Sequence, residues 1–256
     1  TPEVTVDWEA TNARLQQVGE LIGDILPVEL QGAMMHWAPM DLFIGLRGID
    51  QLYMDLMDRP RWVHAAMGRL LECRLAEVEQ FQQQGALRLN NRNHYTGSGG
   101  VGYTRQLPQE GFDGEHVRCK DLWAMATAQI FSEVSPDMHE EFALQYERQF
   151  LERFGLTCYG CCEPLHNKLG YVKKIPNLRR VSISPWADVE KSAAGLGDAY
   201  VYSWKPNPAV VAAVHWQGEA VRESIRDFCE KTRGCVREMV MRGTHTCNHE
   251  PHRMWD

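Results

Sequence analysis

The sequence contains neither a long apolar run nor an excess of basic residues. No stretch of about 18 apolar residues is present, so no transmembrane helix is expected. Acidic residues outnumber Lys and Arg by 34 to 27, and the formal net charge is -7. A nucleic-acid-binding surface requires a basic stripe, so a nucleic-acid partner is not expected. No secretory leader is recognisable either, which favours a cytoplasmic protein.

Eight cysteines in 256 residues are too sparse for a disulfide scaffold, and several of them are clustered. In a reducing compartment, clustered thiols indicate metal or redox chemistry rather than cross-links. A Gly-x-Gly-x-x-Gly motif after the first predicted strand is also lacking, which argues against a dinucleotide-binding fold.

Segments with strand character alternate with amphipathic segments of helical period. The predicted strands are 28–30, 86–90, 156–159, 179–183, 199–203 and 236–241, and the predicted helices are 8–23, 61–83, 137–154 and 216–233. No turn signal such as Asn-Gly joins adjacent strands, so an antiparallel hairpin is not expected. The alternation predicts one α/β domain over residues 1–256, with parallel strands and helical crossovers.

Residues capable of chemistry follow the predicted strands. They are His36, His94, Cys161, Cys162, Glu163, Asp188, Lys205, His245 and Cys247. In a parallel barrel all strands end at one face, where such groups converge, so the pattern favours a TIM (β/α)8-type barrel over an open sheet. About six strands are predicted instead of eight. Either two strands escape detection, or the chain lacks part of the N-terminal region of the barrel.

Two clusters suggest a zinc site. Thiolates and imidazoles are typical zinc ligands, and a catalytic site keeps one exchangeable position. We predict the ligands Cys161, Cys162, His245 and Cys247. Alternatively, Cys158 and Cys161 share a metal or form a redox pair, the thiols simply pack in a turn, or His245 only forms a hydrogen bond.

The carboxylates best placed for catalysis are Glu163 and Asp188, because each follows a strand. Substrate binding is predicted for side chains in the other loops that follow strands, namely His36, His94, Trp186, Trp204 and Lys205. For the tryptophans, packing at the rim is the alternative.

The order of these pieces resembles the uroporphyrinogen decarboxylase superfamily. The similar stretches are Leu46-Arg47-Gly48 through Pro60, 128–136 and 178–184. In the methyltransferase branch of that family, a metal-binding His-x-Cys-Gly ends the strand at the place of 156–165. Here the stretch reads Thr157-Cys158-Tyr159-Gly160, with Thr in place of His and Tyr in place of Cys. The last zinc ligand of that branch falls on His245-Thr246-Cys247.

The resemblance implies a zinc-dependent methyltransferase that acts between a corrinoid protein or small methylated compound and a thiol or tetrahydrofolate acceptor. One alternative is a decarboxylase of a small or tetrapyrrole acid, which needs cations over the pocket, with Arg92, Lys205 and Arg105 as candidates. Another is a non-catalytic partner subunit of a corrinoid system. A homodimer is one expectation for the assembly.

Overall fold

The centre of the α/β fold is a six-stranded parallel sheet with helices packed against it. The computed structural model describes residues 2–255. The strands are β1 (His36–Trp37), β2 (Tyr95–Gly97), β3 (Gly100–Val101), β4 (Trp123–Ala126), β5 (Leu156–Tyr159), β6 (Leu178–Ile183), β7 (Val201–Trp204) and β8 (Val236–Met239). In the large sheet the order is β1-β4-β5-β6-β7-β8, so spatial neighbours follow one another along the chain apart from the separate pair β2-β3.

Helices pack around most of the sheet, and the helical period predicts the three longest of them. The helices are α1 (Trp8–Ile22), α2 (Pro39–Arg47), α3 (Ile49–Asp58), α4 (Pro60–Gln83), α5 (Pro136–His139), α6 (Gln145–Leu151), α7 (Leu169–Val172), α8 (Val189–Leu196), α9 (Ala209–Ala212) and α10 (Gly218–Lys231). The predictions 8–23, 61–83 and 216–233 are confirmed within two residues at each end. Within residues 2–255, no helix combines the length and apolar character needed to cross a membrane.

The strand predictions are correct in the second half of the chain and partly wrong in the first. Segments 28–30 and 86–90 form no strand, whereas β1 and β4 were not predicted. Asn90 explains one error, because its side-chain amide exchanges hydrogen bonds of 2.9 and 3.0 Å with the backbone of Trp123 and so replaces strand pairing. The short β4, Trp-Ala-Met-Ala, lacks the β-branched residues that mark strands.

The expectation that the chain has no antiparallel hairpin is also wrong. Strands β2 and β3 pair antiparallel around Ser98 and Gly99, whose φ angles are 50° and 85°. Two successive positive φ values are the requirement of the tight turns found in hairpins, which Asn-Gly meets more often. The hairpin lies against the large sheet, where Ser98 Oγ is 2.8 Å from Ser182 Oγ of β6.

The two faces of the sheet differ because successive side chains of a strand point to opposite sides. On one face, Tyr202 and Trp204 pack on Phe228 of α10, with ring centroids 5.4 and 4.1 Å apart. On the other face, Arg180 and Ser182 of β6 meet the β2-β3 hairpin. The sheet therefore has an apolar face under the helices and a more polar face under the hairpin.

A π-helical segment, Glu140–Leu144, joins α5 to α6 in the predicted helix 137–154. In a regular α-helix, residues eight positions apart differ by about 80° in direction, and one extra residue in a π turn reduces this to about 20°. His139 and Glu147 therefore both reach Tyr159 of β5, whose hydroxyl is 2.7 Å from His139 Nε2 and donates to Glu147 Oε2 at 2.7 Å. All three side chains are fully buried.

Burial sets the protonation of this network. It raises the pKa of Glu147 to about 8, opposed by the hydrogen bond from Tyr159. It also lowers the pKa of His139 to about 3, with a smaller contribution from Lys168, so His139 is neutral at physiological pH. Glu147 Oε1 and His139 Nδ1 have no hydrogen-bond partner. The network therefore keeps a protonated carboxyl group inside the protein near neutral pH.

Candidate functional site at the carboxyl edge of the sheet

The turn that follows β5 presents two adjacent cysteines. Gly160 has a φ of 91°, and a Cβ at this position would lie 2.5 Å from Leu165 Cδ1 and 3.2 Å from Ser182 O. Glycine is therefore required both by the backbone conformation and by the space. Beyond this turn, the sulfurs of Cys161 and Cys162 lie 3.6 Å apart. Adjacent side chains usually diverge, but here the turn brings both sulfurs together.

Replacing Gly160 with alanine is expected to lower the free energy of unfolding by about 1 to 3 kcal/mol, because the new methyl group meets Leu165 and the φ angle is strained. Urea denaturation followed by circular dichroism measures this loss. The matched control is Gly170→Ala in α7, where a Cβ would meet nothing within 4 Å. Equal unfolding midpoints for the two variants would contradict this explanation of the turn.

Glu163 holds the cysteine turn in place through two hydrogen bonds. Its Oε2 accepts the Cys161 N–H at 2.9 Å, and its Oε1 accepts the Thr127 hydroxyl at 2.7 Å. Thr127 directly follows β4, so one fully buried carboxyl group connects the ends of two neighbouring strands. Burial raises the pKa of Glu163 to about 7, while the hydrogen bond from Thr127 acts in the opposite direction. Glu163 therefore positions the backbone that carries both thiols.

The two thiols differ in access and in acidity. Cys161 is 5% exposed, whereas Cys162 is exposed to solvent. The hydrogen bond between the sulfurs lowers the pKa of Cys162 and raises that of Cys161, and burial raises the latter further. The Ser182 hydroxyl donates to the Cys161 carbonyl at 3.1 Å. The pair thus consists of an exposed outer thiol whose pKa is lowered and a buried inner thiol whose pKa is raised.

Arg242, which follows β8, supplies positive charge to the same region. Its guanidinium lowers the pKa of both thiols and contributes to lowering that of His36, for which burial is the larger cause. It also donates to the Tyr95 hydroxyl at 3.1 Å. His36 Nε2 is buried without a hydrogen-bond partner. Arg242, which was not predicted from the sequence, therefore acts electrostatically on both the cysteine pair and His36.

Lys205 and Trp204 are adjacent but belong to opposite faces of the sheet. The Lys205 ammonium donates to Ser203 Oγ at 2.6 Å, and burial lowers its pKa to about 8. Trp204 packs on Phe228 and lines a cavity of about 350 Å³ with Val221, Met241 and other residues. The two residues therefore cannot line one pocket, although substrate binding by each stays a prediction.

The remaining predicted residues lie in separate environments. Asp188 caps α8 by accepting the Lys191 N–H at 2.9 Å, which lowers its pKa and gives it a structural role. Trp186 is 68% exposed. His94 lines a cavity of about 130 Å³, and its buried Nδ1 has no partner. Catalysis by Asp188 and substrate binding by Trp186 and His94 stay predictions.

The cysteine pair fits half of a tetrahedral zinc shell. With zinc–sulfur bonds of about 2.3 Å, two ligating sulfurs lie about 3.8 Å apart, close to the 3.6 Å between Cys161 and Cys162. His245 is exposed and Cys247 is half-buried. Within residues 2–255, no three side chains of His, Cys, Asp or Glu are arranged to hold a metal ion, so neither residue joins the pair.

Sequence reasoning missed several residues of this site, namely Ser98, Thr127, Ser182 and Arg242. Thr127 follows a strand that was not predicted, and Ser98 lies in the unexpected hairpin. The one signal for Arg242 is its position directly after the last predicted strand.

No protein family model, curated protein or solved structure matches this chain. The resemblance to the uroporphyrinogen decarboxylase superfamily therefore stays a prediction from the sequence.

Proposed function

We propose that the chain is a methyltransferase and that Cys161 and Cys162 hold its zinc ion. The observation that carries this proposal is the 3.6 Å separation of the two sulfurs at the carboxyl edge of the sheet. A catalytic zinc site usually has three protein ligands and an exchangeable position. His245 and Cys247 are the proposed source of the remaining protein ligand, which requires the segment after β8 to approach the pair.

The chemistry is transfer of a methyl group to an acceptor thiol or tetrahydrofolate. Zinc would supply a Lewis acid that keeps a thiol acceptor in its thiolate form. With a thiol acceptor, the new sulfur–carbon bond forms with the electron pair of sulfur. The bond between the methyl group and its donor breaks, and its electron pair remains on the corrinoid or small methylated compound.

The side chains of the chain itself would bind and orient the acceptor. Arg242 attracts an anionic acceptor toward Cys162, because its charge acts on both thiols. Glu163 keeps the sulfurs in place through Thr127 and the Cys161 N–H, with distances of 2.7 and 2.9 Å. His36, with an unpartnered buried Nε2, is available to bind the substrate from β1. Glu163 is thus proposed as a positioning residue.

We further propose that the sheet belongs to a TIM-type barrel. Doubly wound sheets reverse their strand order at a switch point, whereas this sheet keeps the order of the chain from β1 to β8. In residues 2–255, β1 and β8 are not paired with each other. The proposed setting is the cytoplasm, with a corrinoid protein as partner, and assembly as a homodimer stays a prediction.

Metal analysis by mass spectrometry tests the zinc proposal. We expect about one zinc per chain after loading with zinc and desalting, and its loss in both Cys161→Ser and Cys162→Ser. Cys73→Ser, at a half-buried position on α4, is the matched control and should retain the metal. Retention of zinc by both site variants would contradict the proposal.

Two further measurements complete this test. Loss of zinc affinity in His245→Ala would support its role as a ligand, and unchanged affinity would remove it from the ligand set. Zinc-loaded protein should accelerate demethylation of methylcobalamin by a small thiol, as followed by visible absorbance. Full zinc binding without this reaction would favour the non-catalytic partner.

The decarboxylase alternative has one observation in its favour. Arg92 and Arg105 line a common cavity of about 490 Å³ with Tyr103, where two guanidinium groups could bind carboxylates. Lys205, the third cation considered, does not line this cavity. Absence of zinc binding combined with saturable binding of a polycarboxylate, lost in Arg92→Ala, would favour this alternative.

A further inference from the structure

Cys161 and Cys162 have the arrangement of a thiol pair that oxidation can close. Their sulfurs are in contact at 3.6 Å, and all eight cysteines are free thiols in the structure. Sequence spacing alone indicated a different pair, Cys158 and Cys161, separated by two residues. Cys158 is fully buried and packs with Met125 and Cys161, whereas Cys162 is exposed. The geometry therefore favours the adjacent pair.

We propose that Cys161 and Cys162 form a reversible disulfide when the protein meets a peroxide. The exposed Cys162 sulfur attacks one peroxide oxygen, the O–O bond breaks, and sulfenic acid and water form. Cys161 then attacks the Cys162 sulfur, the S–O bond breaks, and a second water leaves. Overall, two thiols lose two electrons and two protons to one hydrogen peroxide, which yields two waters.

The surroundings explain why the inner cysteine can react quickly. The Cys161 backbone is fixed on both sides, since its N–H donates to Glu163 at 2.9 Å and its carbonyl accepts from Ser182 at 3.1 Å. Its sulfur is therefore already beside Cys162 when the sulfenic acid forms. Little conformational search is needed, and closure competes well with further oxidation.

Covalent geometry also explains why the disulfide should be easy to reduce. Neighbouring Cα atoms across a trans peptide are about 3.8 Å apart, shorter than the usual range of about 4.4 to 6.8 Å for disulfides. A bond between adjacent cysteines is therefore strained, and strained disulfides have more oxidising potentials. The pair is thus suited to reversible modification rather than to permanent cross-linking.

The modification does not depend on the proposed methyl transfer, because it requires no metal or methyl donor. If zinc does bind there, oxidation would consume both sulfurs and release it. The experiment below uses metal-free protein, so its result can be interpreted even if the methyltransferase proposal is wrong.

The full chain is treated with chelator and then with hydrogen peroxide at low molar excess. Remaining thiols are alkylated, and the tryptic peptide Phe154–Lys168 is analysed by mass spectrometry. This peptide contains Cys158, Cys161 and Cys162. We expect the loss of two hydrogens, one alkylated thiol at Cys158, and complete reversal by dithiothreitol. Fragmentation between Cys158 and Cys161 distinguishes the adjacent bond from the other two possible bonds, because only the adjacent pair leaves this stretch outside the ring.

Single variants provide the controls. Cys161→Ser should stop at the Cys162 sulfenic acid, which dimedone traps, and Cys158→Ala should still close. Circular dichroism confirms that each variant is folded. A bond from Cys158 to either Cys161 or Cys162, or persistent sulfenic acid without closure in the wild-type chain, would overturn the proposal.

Discussion

Replacement of Arg180 with leucine is expected to lower the free energy of unfolding by about 2 to 4 kcal/mol, because a buried guanidinium that pairs with a half-buried carboxylate and donates two hydrogen bonds is lost. Arg180 is 5% exposed and lies 2.8 Å from Glu238 of β8. It also donates to Thr96 Oγ1 at 2.9 Å and to the Val101 carbonyl at 2.7 Å. The variant therefore leaves one carboxylate and two acceptors of the hairpin without their partner. Guanidinium denaturation measures the loss.

Arg179→Leu is the matched control for this experiment. Arg179 is the neighbouring residue on β6, but it is half-buried and donates to Gln106 Oε1 at 2.7 Å in an exposed position. We expect a loss below about 1 kcal/mol there. Similar losses in the two variants would show that Arg180 does not connect the hairpin to the sheet.

Replacement of Glu147 with glutamine is expected to change how stability depends on pH. The folded pKa of Glu147 is raised from 4.5 to about 8 by burial. Between these values the unfolded chain loses a proton that the folded chain keeps, so this group makes stability fall as pH rises. The slope is about 1.4 kcal/mol per pH unit. Glutamine can still accept the Tyr159 hydroxyl but does not titrate, so the variant should lose this component.

Denaturation midpoints of wild type and Glu147→Gln between about pH 5.5 and 7.5 test the expectation. The difference in unfolding free energy should move in favour of the variant by about 2 to 3 kcal/mol across this range. Glu152→Gln, at an exposed position just after α6, is the matched control, because it replaces the same carboxyl group where solvent reaches it. A constant difference for Glu147→Gln would mean that this carboxyl group is ionised in the folded protein.

The long helices are predictable because apolar residues recur along the sequence at the helical period. In α4, the buried residues Val63, Met67, Leu71 and Val78 keep the helical period over about four turns, and local pattern suffices. Strand β4 has no such signal, since four residues with two alanines do not alternate in polarity. Segment 86–90 has the composition of a strand, yet the Asn90 side chain takes the bonds that pairing would use.

In the candidate site too, residues close together in the sequence could be predicted, and their partners far away in the sequence could not. The cluster of Cys161, Cys162 and Glu163 is visible in the sequence because these residues are consecutive. Their partners are not, since Thr127 lies 36 positions from Glu163 and Ser98 lies 84 positions from Ser182. Such contacts follow from the order of the strands in the sheet. That order could not be predicted, because residue propensities did not reveal β4 or the β2-β3 hairpin. The roles of His245 and Cys247 require the segment after β8 to approach the cysteine pair, and they stay predictions.

The central claim is that the adjacent sulfurs of Cys161 and Cys162 are the reactive centre and bind zinc together. X-ray absorption at the zinc edge of the zinc-loaded full chain tests it most directly. We expect at least two sulfur neighbours at about 2.3 Å in the wild-type chain, and no such zinc–sulfur shell after loading and desalting of Cys161→Ser or Cys162→Ser. A shell made of nitrogen and oxygen alone, or sulfur neighbours that persist unchanged in both variants, would contradict the claim.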